Sequence, residues 1–172
     1  MLSLTSNDKV TIDKNYESFL KNLYIFLSNC SLRSGIEYSK IIIDLLHSGK
    51  FGMNGEITCT NDYDFLYLPN LESDGMLVMY GVCCCRHATR LLNDILRELN
   101  FETTLNYFNT NDGDSWKKVS PCEANHIVVN LKENGNEYLI DPVNSFILKI
   151  DNSDISLVDV DNFIDLESYS DS

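Results

Sequence analysis

Apolar side chains recur at helical spacing in three parts of the chain. Two of these patterns lie in the first fifty residues and predict helices over residues 16–29 and 36–48, with Gly49 where a helix stop is expected. The third pattern is the clearest and predicts a helix from about residue 84 to Asn100. Its apolar positions follow an i, i+3, i+4, i+7 stripe: Ala88, Leu91, Leu92, Ile95, Leu96 and Leu99.

After the third helix, the hydrophobic period shortens to that of strands. Four segments have this pattern: residues 101–108, 126–131, 137–141 and 145–150. Asn134-Gly135, between the second and third of them, is the strongest short signal for a hairpin. Helices first and antiparallel strands later predict an α+β fold, with the third helix packed on an antiparallel sheet.

The length of 172 residues predicts a single domain over residues 1–172. We divide it into a helical part (1–49), an irregular segment (50–80), a core (81–150) and an acidic C-terminal segment (151–172). The irregular segment has no sustained period, and only Asp64–Leu68 resembles a short extended piece. The C-terminal segment keeps several apolar positions, which predicts a docked segment that ends in a frayed tail.

Composition narrows the possible partners. Hydrophobic residues make up 44% and charged residues 23%, as in ordinary globular proteins. Lys and Arg number 13 against 26 Asp and Glu, which gives a net charge of -13 and a pI near 4.4. Such a charge repels nucleic acid and anionic membrane surfaces, whereas a polypeptide partner is tolerated. No signal peptide or membrane span is recognisable, so we expect a cytoplasmic protein, and no particular oligomeric state is indicated.

Six cysteines are expected to be reduced thiols in a cytoplasmic chain, and three of them are consecutive. Cys83-Cys84-Cys85 leads into the third predicted helix, whose N-terminal end stabilises a thiolate and offers N–H groups to an oxyanion. At 100° per residue, Cys84 and Cys85 both flank the apolar stripe and Cys83 points away. Both therefore stay candidates for a nucleophile, and the alternative is that they are buried small hydrophobic residues.

Among the three histidines, only His126 fits the role of a base for this thiol. His47 ends an apolar helix and has no evident partner in the sequence, and His87 lies about 200° around the helix from Cys85. If Asn134 and Gly135 are the two turn residues, Asp141 is a diagonal neighbour of His126 on one face of the sheet, within reach of a hydrogen bond. A nucleophile, a base and a group that orients the base would then lie on three rigid elements.

The stretches GVCCCRHATRLLNDILRELNFE, NHIVV and YLIDP, within residues 81–143, resemble the transglutaminase-like superfamily of papain-like cysteine enzymes. The resemblance implies a papain-like core, with Cys85 as nucleophile, His126 as base and Asp141 as the residue that orients the base. It implies acyl transfer on amide bonds through a thioester, by a peptidase or amidase, or else by a transglutaminase or deamidase. The expected partner is a peptide or protein that supplies an amide carbonyl, and no cofactor or metal is expected.

The chain also departs from the family pattern. Asn100 replaces the usual Gly at the helix end, Ile127 replaces an aromatic after the His, and Cys84 competes with Cys85. No second oxyanion donor is identifiable in residues 50–80.

Two other classes of function stay open. Cys122-x3-His126 has zinc spacing and could be completed by Cys83, Cys85 or His87, although the usual Cys-x2-Cys knuckle is missing. A binding module could also keep the fold without activity. The polar loop 109–125, with the lone Trp116, is predicted to be a surface loop, or alternatively a cover over the site.

Overall fold

The computed structural model describes residues 6–31, 34–48, 58–59, 82–83, 85–110, 116–151 and 154–158. The helices in these ranges are α1 (Ser6–Ser28), α2 (Gly35–Ser48), α3 (Cys85–Glu98) and a 3-10 turn (Pro121–Glu123). The strands are β1 (Thr58–Cys59), β2 (Val82–Cys83), β3 (Glu102–Asn109), β4 (Lys117–Lys118), β5 (His126–Glu133), β6 (Asn136–Asp141), β7 (Phe146–Asp151) and β8 (Asp154–Val158).

The fold is α+β, as the sequence predicts. Six strands form one antiparallel sheet in the order β4-β3-β5-β6-β7-β8, and β1 and β2 form a separate parallel pair. The predicted hairpin is present: Glu133 pairs with Asn136, and Asn134 and Gly135 form the turn with positive φ angles of 52° and 77°. From β3 onward, every strand but β4 pairs with the next in sequence, so local connections build most of the sheet.

Two predictions about the elements need revision. Helix α1 begins at Ser6 rather than at residue 16, and its early residues Thr11, Lys14 and Asn15 are exposed. The two-residue strands β1, β2 and β4 were not predicted, because a strand this short has no visible period. The predicted extended piece at Asp64–Leu68 lies outside the described residues.

Helices α1, α2 and α3 share one hydrophobic core with one face of the sheet. The predicted stripe of α3 is buried from Ala88 to Leu96, and Leu99 packs at its margin. The strand residues in this core are Val129, Leu131, Ile140 and Ile147. Burial of this many apolar side chains is the main stabilising contribution and fixes α3 against β3 and β5.

The C-terminal end of α3 shows why asparagine is tolerated after it. Asn100 has a φ of 68°, the left-handed conformation that glycine usually supplies. The Phe101 N–H donates to the Leu96 carbonyl at 3.0 Å, and the Asn100 N–H donates to the Arg97 carbonyl at 3.0 Å. This is a Schellman cap, and it turns the chain directly into β3.

Candidate active site

The predicted contact between His126 and Asp141 is present. Val129 pairs with Ile140, which is the predicted register, so the two side chains fall on one face of the β5–β6 ladder. His126 Nε2 lies 2.6 Å from Asp141 Oδ2. The Asp141 side chain is completely buried, whereas the His126 side chain keeps 12% of its surface exposed.

Four N–H groups surround the Asp141 carboxylate. Oδ1 accepts from the backbone N–H groups of Val143 and Asn144, both at 3.1 Å. Oδ2 accepts from His126 Nε2 and, at 2.9 Å, from the side-chain amide of Asn144. All four acceptor positions of a carboxylate are therefore occupied, and a proton on either oxygen would have no acceptor.

These four donors match a carboxylate at Asp141 that only accepts, with the proton of the short hydrogen bond on His126 Nε2. In the neutral ring, Nδ1 therefore carries the lone pair and is the nitrogen that can take a proton from another group.

Chain topology brings Cys85 to the same end of the sheet as this pair. Helix α3 ends at Glu98, and β3 begins at Glu102, so β3 runs back alongside the helix. Strand β5 is antiparallel to β3, with His126 opposite Phe108 near the end of β3. Strand β6 returns once more and ends at Asp141. The N-terminal end of α3, the start of β5 and the end of β6 therefore lie together.

A buried hydrogen bond ties α3 to β5 near His126. The Thr89 hydroxyl donates to the Ile127 carbonyl at 3.1 Å. Cys85 precedes Thr89 by about one helical turn and lies on nearly the same side of the helix. The two residues are therefore about 6 Å apart along the helix axis. His126 precedes Ile127 by only about 3.3 Å along the strand. Cys85, half-buried at the first position of α3, thus lies beyond the end of β5, although His126 and α3 are on different faces of the sheet.

One aromatic ring, that of Trp116, lies against His126. The Trp116 ring meets the His126 ring edge-on, with 4.9 Å between their centroids. Trp116 also packs against Phe108 and Phe146, at 5.6 Å and 5.5 Å. Trp116 therefore belongs to the site, which the sequence raised only as the alternative for the loop 109–125. Hydrophobic periodicity reports the buried face of one element, so a ring contact between a loop residue and a strand residue leaves no such signal in the sequence.

The two other histidines have different surroundings. His87 is completely buried, and its Nε2 accepts from the Arg86 guanidinium at 3.1 Å. His47 ends α2, as predicted, but it has a partner that the sequence did not reveal: its Nε2 donates to the Pro142 carbonyl at 2.8 Å. This bond anchors the turn that follows Asp141 to the helical layer.

The described cysteines differ in environment. Cys30, Cys85 and Cys122 carry reduced thiols. Cys122 is exposed, with its sulfur 3.3 Å from the Ser120 hydroxyl, whereas Cys30 is buried, and burial raises the pKa of its thiol. Among the side chains that the structure describes, no three His, Cys, Asp or Glu residues are grouped as a metal site requires. The side chain of Cys83 and the whole of Cys84 are outside that set.

Comparisons with protein-family models, with curated proteins and with solved structures found no match for this chain. Within the described residues, no helix combines the length and apolar character needed to cross a membrane.

Proposed function

We propose that the protein is a cysteine-nucleophile enzyme of papain-like, transglutaminase-like fold that transfers the acyl group of an amide bond through a thioester. Cys85 is the nucleophile, His126 the general base and Asp141 the residue that orients His126. The observation that supports this most strongly is the buried Asp141 carboxylate, which holds the His126 ring with Nδ1 as the proton acceptor.

The chemistry follows from this arrangement. His126 Nδ1 takes the proton of the Cys85 thiol, and the sulfur attacks the amide carbonyl carbon. The N-terminal N–H groups of α3 stabilise the negative charge that develops on the carbonyl oxygen. As the C–N bond breaks, His126 returns the proton to the leaving amine, and a thioester stays on Cys85.

The second half of the reaction decides the class of enzyme. A water molecule gives up a proton to His126 Nδ1 and attacks the thioester carbon, which releases a carboxylic acid and restores the thiol. An amine in place of water would make the protein a transglutaminase, and hydrolysis of a glutamine side chain would make it a deamidase. We favour a peptidase or amidase, because water is always present and no amine site is apparent among the described residues.

The first test is the rate of alkylation at each cysteine as a function of pH, mapped by mass spectrometry. We expect Cys85 to react at a lower pH than the exposed Cys122, and His126→Ala to remove most of this advantage. Cys30 is the internal reference at the other extreme, since burial raises the pKa of its thiol above the ordinary 9.0. If Cys85 reacts no faster than Cys122 at any pH, the proposal is wrong.

The reaction class requires a second experiment. The protein is incubated with a mixture of peptides that contain glutamine, with and without an added primary amine, and Cys85→Ser is the matched control. Cleaved peptides would establish a peptidase, conversion of glutamine to glutamate a deamidase, and incorporated amine a transglutaminase. A product that Cys85→Ser forms equally well would have another source.

A further inference from the structure

The turn after Asp141 contains a side chain that shares its carboxylate with His126. Asn144 Nδ2 donates to Asp141 Oδ2 at 2.9 Å, the same oxygen that accepts from His126 Nε2 at 2.6 Å. The opposite orientation of the Asn144 amide would place its oxygen against the carboxylate oxygen, so the donor role is fixed by charge.

The backbone of the turn does not make this contact redundant. The N–H groups of Val143 and Asn144 both bind Oδ1, so they fix one oxygen of Asp141 only. On Oδ2, the position beside His126 would otherwise be open to a water molecule. Asp141 is completely buried, whereas Asn144, whose side-chain amide bonds to Oδ2, is itself exposed to solvent.

A hydrogen bond from α2 and the backbone conformation of Ser145 also fix the position of this turn. His47 in the last turn of α2 donates to the Pro142 carbonyl at 2.8 Å. Ser145 has a φ of 55°, which turns the chain into β7 immediately after Asn144. The position of Asn144 is therefore set by the helical layer on one side and by β7 on the other.

We infer that Asn144 is a positioning residue of the active site: it holds Asp141 Oδ2 on His126 Nε2 and excludes water from that oxygen. This inference rests on the proposed function for its catalytic consequence, although the hydrogen bond it concerns can be measured without any activity. Asn144 touches neither the thiol nor a substrate in this role and acts only through Asp141.

The test compares Asn144→Ala with Asn134→Ala in the full chain. Asn134 lies in the β5–β6 turn at the other end of the sheet, is exposed and has a φ of 52°, so its replacement weakens the fold without touching Asp141. We expect Asn144→Ala to lower the alkylation rate of Cys85 about tenfold, the effect of one charge-assisted hydrogen bond. We expect Asn134→Ala to leave that rate within about twofold while it lowers the melting temperature.

A spectroscopic measurement separates positioning from general stability. The proton on His126 Nε2 should give a downfield NMR signal, and its exchange with water should be slow in the wild type and in Asn134→Ala. In Asn144→Ala the signal should broaden or disappear, because water reaches Oδ2. In Asn144→Asp, which replaces the donor by a second negative charge beside Oδ2, the signal should also broaden or disappear.

The outcomes distinguish the two proposals. If Cys85 is unreactive in the wild type but the NMR signal still depends on Asn144, the enzyme proposal fails and the positioning role stands. If Asn144→Ala keeps both the sharp signal and the wild-type alkylation rate, the inference about Asn144 is overturned whatever the activity. A loss of signal in Asn134→Ala equal to that in Asn144→Ala would also overturn it.

Discussion

Replacing Asp141 by asparagine should change the proton position on His126 with little change in shape. The backbone N–H groups of Val143 and Asn144 require an acceptor at the Oδ1 position, so the new NH2 group must take the Oδ2 position. There it faces two donors, the Nε2–H of His126 and the side-chain amide of Asn144. Asn144 can rotate its amide and accept. His126 can adapt only by moving its proton from Nε2 to Nδ1.

The loss of stability and the loss of reactivity can both be estimated from these contacts. The charge that strengthens the hydrogen bond between the buried Asp141 and the partly exposed His126 is lost, so Asp141→Asn should lower the free energy of unfolding by about 1.5–3 kcal/mol. The new tautomer leaves no lone pair on Nδ1, so His126 cannot take the thiol proton. A general base typically contributes about 10²–10⁴-fold, and we expect turnover of an amide substrate to fall within that range. Alkylation of Cys85, which needs only the thiolate, should slow by at least about tenfold.

Urea denaturation measures the stability, and site-mapped alkylation at neutral pH measures the reactivity. Asp151→Asn is the matched control, because Asp151 is exposed at the end of β7 in the same sheet and should change neither quantity. If Asp141→Asn is folded and destabilised as expected but Cys85 reacts at the wild-type rate, then Asp141 has only a structural role. If neither quantity changes, the 2.6 Å bond does not form in solution.

Two further substitutions test how the site is held. Thr89→Val keeps the shape of a buried side chain but removes its 3.1 Å hydrogen bond to Ile127, so it should lower the free energy of unfolding in urea by about 1–2 kcal/mol and slow Cys85 alkylation. An unchanged alkylation rate would show that this bond does not position the thiol. Gly35→Ala places a Cβ 2.7 Å from Cδ2 of the fully buried Leu131, so it should lower the free energy of unfolding by about 1–3 kcal/mol in the same measurement. A loss of stability below about 0.5 kcal/mol would mean that the Leu131 side chain moves aside freely.

Much of the site could be predicted because it depends on local patterns. The Asn134-Gly135 turn fixes the register of the β5–β6 hairpin, and that register alone places His126 and Asp141 on one face. The apolar stripe of α3 predicts the helix and its buried side, and the three cysteines directly before the stripe place a thiol at the N-terminal end. The structure starts α3 at Cys85, and Cys84 lies outside the described residues.

The remaining parts of the site depend on contacts between distant segments. His47 and Pro142 are 95 positions apart, and neither residue type predicts the hydrogen bond between them. Asn144 resembles any polar turn residue until its distance from Asp141 is known. The early part of α1 was missed for a different reason: hydrophobic periodicity reports a buried face, and the exposed residues there leave no such pattern.

The buried carboxylate of Asp141 supports the proposal of an enzyme rather than a binding module with the same fold. Burial of a carboxylate is costly, and a buried ion pair generally adds no more stability than apolar side chains of the same volume. Stability alone therefore does not explain why the fold surrounds Asp141 with four donors. One of those donors belongs to His126, whose ring stays partly exposed at the end of the sheet where α3 begins with Cys85. A buried charge that orients a partly exposed ring, with a thiol at a helix N-terminus at the same end of the sheet, is the arrangement that we propose for proton transfer at sulfur.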